Sequence, residues 1–432
     1  MTVPPSPPNA NEAAGRRALF AHILRSQLSA AVLTLASLGV VVLLTRSTSV
    51  ETFGQYTVLI ATVTAFMRFA GLNVYFFYRN RYPTASHPAA LAILRGYLPV
   101  VLLLGLGIAA ILVLLDLLVG LSPVTRGGDY VLCVTLAMLS LLNLELVRFY
   151  QSIGRNVFSN WLGTAPRVAS MVLLGLCMLA LTGRLELRTI IMVLVLAQVV
   201  PLLVQIASDP AFLGIFKTRG DRFDPKAIFA GVLIIPTALF YDSLVLFDRF
   251  ALANHLSYET VGHYGLASQM VMIGYAILGG SLITMFYPRL VRARATGQDM
   301  RALLKLAFLA GGGAGILGVV AILALGGLVP VVFGPAYAES VDIVRAMCLV
   351  PLALFVMSGL AHVAYLFDDL RWSVAAFIVG TIECGILNHV LVARSGVSGA
   401  IAALYITLLS VILMHVLILA RRSSGARREL LQ

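Results

Sequence analysis

What most constrains this chain is a near-unbroken succession of apolar runs, each closed by a short polar turn. The runs lie at 22–45, 54–78, 96–119, 130–149, 162–182, 189–207, 227–249, 261–286, 305–332, 342–367, 372–392 and 397–420. A helix needs about 20 apolar residues to cross the hydrocarbon core of a bilayer, so the pattern reads as twelve transmembrane helices. Composition agrees, with 60% hydrophobic and only 12% charged residues. A soluble domain carries about 25% charged residues, and a chain of 432 residues without that coat is not a water-soluble enzyme. The expected fold is an all-α polytopic membrane protein with almost nothing outside the bilayer.

The net charge of +12 does not point to nucleic acid, because no soluble basic domain exists to carry such a function. The 31 basic residues instead cluster in alternate loops. With the N-terminus inside, 23 fall on the inner side, seven on the outer side and Arg68 within a span. Basic residues concentrate on the cytoplasmic side of membrane proteins, which places both termini in the cytoplasm. Residues 1–21 are proline-rich and read as a disordered cytoplasmic tail without a cleavable signal peptide. Residues 22–207 and 227–420 form two six-span halves, 208–226 links them on the cytoplasmic side, and 421–432 is a basic cytoplasmic tail.

An internal repeat relates the halves. Ser49-Val50-Glu51-Thr52-Phe53-Gly54-Gln55-Tyr56 returns as Ser257-Tyr258-Glu259-Thr260-Val261-Gly262-His263-Tyr264, five of eight positions matching at an offset of 208. Each copy enters the second span of its half, and Trp161 and Trp372 each open a fifth span. Six spans per half is an even number, so the copies are parallel and related by an axis along the membrane normal. Two six-helix lobes around a central cavity, the architecture of a secondary transporter, follow from that symmetry.

Motifs for other chemistries are missing or out of context. Gly313-Ala314-Gly315-Ile316-Leu317-Gly318 matches a dinucleotide-binding pattern but lies inside an apolar run with no preceding strand, so close helix packing explains it better. There is no P-loop, no HExxH and no paired Cys/His ligand spacing. Cys133, Cys177, Cys348 and Cys384 sit singly in apolar runs as packing residues. No metal, cofactor or covalent catalysis is expected.

Charges at membrane depth are the functional pointers, since each is costly unless paired or facing water. Arg68 lies well inside the second run and Arg25 near the cytoplasmic end of the first, beside Ser26, Gln27 and Ser29. Glu145 and Arg148 stand three residues apart, a spacing that allows a pair on one helix face. Asp242 falls in the outer part of the seventh run, and Asp248 and Arg249 at its outer end suit an interfacial pair or a contact gating the lobes. Glu383 is near the middle of the eleventh run, as a proton carrier or a hydrogen-bonded structural acid. His362, His389 and His415 are scattered over different runs and read as structural.

Several short stretches resemble a known superfamily. They are Leu44-Thr45-Arg46 with the first octapeptide, Phe247-Asp248-Arg249 with Val261-Gly262-His263-Tyr264, Tyr287-Pro288-Arg289-Leu290, Phe333-Gly334-Pro335-Ala336-Tyr337, and Ser395-Gly396-Val397-Ser398-Gly399-Ala400. Together they resemble the multidrug/oligosaccharidyl-lipid/polysaccharide (MOP) exporter superfamily, and within it the Wzx-type flippases of polysaccharide biosynthesis. That resemblance implies two lobes alternating between inward- and outward-open states in the bacterial inner membrane. The implied cargo is an undecaprenyl-pyrophosphate-linked oligosaccharide, passed to polymerase and export machinery, with a monomer sufficient for the path. Arg68, Arg25 and Arg249 would engage the anionic headgroup, Glu383 or Asp242 would couple transport to an ion, and Asp248, Glu145 and Arg148 would serve lobe contacts. Two relatives stand as alternatives. Drug and cation antiporters place an acid in the first lobe's cavity, where this chain offers Arg25 and Arg68, and peptidoglycan-precursor flippases carry more spans than the twelve read here.

Overall fold

The computed structural model describes residues 32–78, 82, 85–119, 127–181, 183–209, 212, 220–233, 235–275, 290–291, 293–294, 296, 300–367 and 369–429. Every regular element among them is helical. The first half holds α1 (Val32–Ser47), α2 (Val50–Ala70), α3 (Tyr75–Tyr78), α4 (His87–Val119), α5 (Gly127–Ser152), α6 (Asn156–Ala180) and α7 (Leu187–Ser208). The second holds α8 (Lys226–Val232), α9 (Ile235–His255), α10 (Tyr258–Tyr275), α11 (Met300–Leu325), α12 (Val329–Phe333), α13 (Ser340–Ala346), α14 (Val350–Leu366) and α15 (Leu370–Glu429). Seven helices among the described residues are long and apolar enough to cross a membrane, or eight when α8 and α9, bent by 45° at their junction, count as one span. The chain is a polytopic membrane protein in fold.

Two expected boundaries move, each for a local reason, and a third falls between the runs 372–392 and 397–420 where the sequence places it. The run 54–78 is not one helix, because α2 stops at Ala70 and the backbone turns through Leu72 and Asn73 at positive φ (41° and 46°). Gly231 of α8 lies against the backbone of Leu72 and Asn73, so close that a side chain there would collide. The run 227–249 breaks into α8 and α9, and α9 continues to His255. Finally, α15 is two arms folded at Gly396, whose φ of 57° and ψ of −131° suit only glycine.

The octapeptide repeat sits at the crossing of the two halves. Ser49 and Ser257 cap α2 and α10 identically, each hydroxyl accepting the N–H three residues on, from Thr52 at 3.0 Å and Thr260 at 3.2 Å. The helices then pack through the glycines of the repeat itself. Gly54 lies against the Tyr258 carbonyl and the Gly262 N–H, while Gly262 lies against the Val50 carbonyl. Val50 and Tyr258 are equivalent positions of the repeat, so the contact is pseudo-symmetric. Gly265 continues the seam against Thr57. Around it, Arg46 donates to the Val332 carbonyl at 2.8 Å and the Val331 carbonyl at 2.5 Å, and Phe53 meets Tyr337 edge to face.

The helices that carry the site also run between the halves. α2 packs on α9 and α10 of the second half and on α4, α5 and α7 of its own. α9 packs on α15, with Phe240 and Phe247 against Gly380 and Gly385 of its first arm. At the end away from the repeat, the Asp224 N–H donates to the Tyr78 hydroxyl at 3.0 Å and the Asp221 N–H to the Ala92 carbonyl at 3.1 Å. The glycine pattern at 313–318 lies in α11, where Gly311 and Gly315 seat the helix on Phe355 and Leu352 of α14. All four cysteines are free.

Candidate functional site: a charge pair between the halves

The two halves meet electrostatically at Arg68 and Asp242. Arg68 stands in the last turn of α2, where a cation is favoured by the helix dipole. Because α2 ends at Ala70, this is deeper toward the helix end than the apolar run suggested. Asp242 lies seven residues into α9, near the middle of the bent α8–α9 pair rather than in its outer part. Arg68 Nε is 3.2 Å from Asp242 Oδ2, with the side chains 39% and 11% exposed. The pair joins two opposite charges on otherwise apolar helices, which is one way a membrane protein keeps charged side chains within its body.

A second guanidinium lies on α6 of the first half. Arg167 stands in α6 with its side chain exposed. It donates to the Gly163 carbonyl one turn back at 2.8 Å. Buried Tyr56 of α2 lies within the fields of both Arg167 and Arg249. The sequence reading assigned Arg167 to a cytoplasmic loop. The signal that could have found it is the recurrence of Asn160, Thr164 and Arg167 at helical spacing in an otherwise apolar stretch.

The remaining expected site residues go elsewhere. Arg249 does not end its helix: α9 runs six residues beyond it, and it is 4% exposed, its Nη2 3.5 Å from the Ser268 hydroxyl of α10. Asp248, 2% exposed, accepts the Arg249 backbone N–H at 2.6 Å and neighbours Tyr264 and Cys384, all within the second half. Its hydrogen-bond partners among the described residues lie in the second half. Glu145 and Arg148 form the spaced pair, at 2.7 Å, with Glu145 wholly buried. Their further partners are Tyr97 at 3.3 Å, Asn73 at 3.3 Å and the Tyr75 ring, all in the first half. This cluster fastens α5 to α4 and to the turn after α2. Glu383 accepts the Ser410 hydroxyl at 2.8 Å, joining the two arms of α15. Arg25 lies outside the described residues. No group of three or more His, Cys, Asp or Glu side chains placed to share a metal ion occurs among the described residues.

No protein-family model matches the sequence, and no curated protein matches it. Solved structures do match in fold. The lipid II flippase MurJ, in an inward closed conformation, aligns with a TM-score of 0.65 at 11% identity, over 91% of this chain and 87% of that one. An inward-facing multidrug resistance MATE transporter of the MOP superfamily aligns at 0.59 and 13%, over 92% and 95%. A MOP superfamily transporter from Pyrococcus furiosus, described as having a binding pocket of reverse polarity, aligns at 0.51 and 15%, over 93% and 95%. The chain thus has the fold of the MOP-superfamily transporters and flippases.

Proposed function

We propose that this chain is a flippase that carries an undecaprenyl-pyrophosphate-linked oligosaccharide from the cytoplasmic to the periplasmic leaflet of a bacterial inner membrane. Twelve spans form two six-helix lobes, 22–207 and 227–420, with both termini cytoplasmic, and the lobes alternate access around a central cavity. No covalent step or cofactor is involved. The product passes to polymerase and export machinery for surface or secreted polysaccharide, and a monomer provides the whole path.

The observation that carries this reading is Arg68, a partly exposed cation held across the halves by Asp242 at 3.2 Å, with Arg167 of α6 as a second cation in the first half. A diphosphate cannot cross hydrocarbon unaided, and arginine binds phosphate oxygens through paired charge-assisted hydrogen bonds. An entering diphosphate brings more negative charge than one carboxylate and competes with Asp242 for Arg68. Cargo binding then loosens the contact between the halves, which links occupancy to movement. The lipid tail stays in the bilayer throughout. Asp242 also supports a second reading: freed from Arg68, it is a carboxylate able to take a proton or an organic cation, as a drug/cation antiporter needs.

The test is flipping of a fluorescent undecaprenyl-pyrophosphate-linked saccharide in vesicles holding the purified chain. Arg68→Ala and Arg167→Ala should each slow flipping about tenfold or more, the loss of roughly 1.4 kcal/mol of headgroup binding. Full flipping by both variants would refute the role of these arginines, and cation-driven dye transport without lipid flipping would favour the antiporter.

A further inference from the structure

The groove between α9 and the first arm of α15 holds two histidines that the charge pair does not use. His255 ends α9 and His389 stands on α15, both exposed. Their ring centres are 5.5 Å apart, with the planes inclined at 51°. Two imidazoles sharing one tetrahedral ion, at metal–nitrogen distances of about 2.1 Å, set their ring centres about 5.3 Å apart. The rings therefore already stand at the separation a shared ion requires.

An independent observation comes from the wall of the same pocket. It has a volume of 190 Å³ and is lined by His255, His389, Asn254, Asn388, Phe247 and Phe250, among others. Asn388 is 2% exposed, and its Nδ2 donates to the Cys384 carbonyl at 2.9 Å. Only the NH₂ group of an amide can donate, so this bond fixes which way the side chain points. The Oδ1 atom is left buried with no hydrogen-bond partner. A buried acceptor is costly unless something completes it.

We propose that His255, His389 and the Asn388 Oδ1 atom hold a late first-row divalent cation, with water completing the coordination. Two imidazoles and an amide oxygen suit zinc, nickel or copper rather than magnesium or calcium, whose sites are built from charged and numerous oxygens. With no thiolate or carboxylate among the ligands, the ion exchanges and is not a condition of folding. When bound, it ties the end of α9 to α15. Because α9 also carries Asp242, the ion restrains the helix that supplies half of the contact between the halves.

Zinc uptake by equilibrium dialysis tests this, using the full chain in detergent micelles with an affinity tag free of histidine. The expected result is one saturable zinc per chain with a midpoint in the micromolar range. His255→Ala and His389→Ala should each raise that midpoint about tenfold or more. His362→Ala should leave it unchanged, since His362 lies 2.7 Å from the Ser358 carbonyl on α14. Both ligand histidines are exposed, so the metal-free melting temperature of their variants should match the parent. His389→Gln, which keeps the bulk, gives the same test should His389→Ala melt early. Equal zinc uptake by the parent and both histidine variants, or no saturable uptake below millimolar zinc, overturns the proposal.

Discussion

The seam between the repeat copies makes the sharpest quantitative prediction. Gly262→Ala puts a methyl group against the Val50 carbonyl, inside contact distance, and no side-chain rotation relieves a clash with backbone. Carbon and carbonyl oxygen need about 3.3 Å, so α2 and α10 must part by roughly 1 Å at this point. Overpacking of this kind costs about 1–3 kcal/mol. If the seam must open for transport, that cost falls on the closed state alone and shifts the equilibrium toward the open one by about 5- to 150-fold. The shift is read by modifying a cysteine at position 57 with a membrane-impermeant maleimide, in a background lacking the four native cysteines. Thr57 is 1% exposed and lies on Gly265, so labelling reports opening of the seam. Gly312→Ala is the control, because a methyl group there meets nothing within 4 Å. Labelling in the Gly262 variant no faster than in the Gly312 variant would refute the close approach and the gate built on it.

Other variants test the remaining contacts. Arg148→Met should strand the buried Glu145 carboxylate and cost about 3–5 kcal/mol, while the double change with Glu145→Gln should recover much of it; melting temperatures in detergent decide. Gly396→Ala should destabilise the fold between the arms of α15 by about 1–3 kcal/mol, since the backbone there is closed to other residues, and limited proteolysis would show the arms loosening. Ser410→Ala should remove the partner of Glu383 and lower stability by about 1 kcal/mol without altering the pH dependence of transport. A changed pH profile would support Glu383 as an ion carrier.

The helices were legible in the sequence because length and apolar content decide membrane insertion, and each of the twelve runs overlaps a described helix. The repeat was legible too, yet its role was not: Gly54 and Gly262 matter through contact with each other's helices, and no sequence spacing encodes that. Site residues were harder for the same reason. Arg68 and Asp242 were both marked as charges at depth, for different tasks, and only the packing of α2 on α9 joins them. Arg249 and Asp248 close the apolar run 227–249, yet α9 continues to His255 and buries both. Arg167 was assigned to a loop because it lies near the start of its run, although α6 begins well before it. Asn388 drew no notice at all, since a buried amide with one unmet oxygen has no signature in one dimension.

The most direct test of the central claim is lipid analysis of cells lacking this chain, with the enzyme that starts the lipid-linked saccharide intact. The account predicts that undecaprenyl-pyrophosphate-linked oligosaccharide builds up on the cytoplasmic leaflet and polymer export stops, and that the Arg68→Ala chain fails to restore either. Unchanged lipid intermediates together with raised sensitivity to cationic dyes would contradict it.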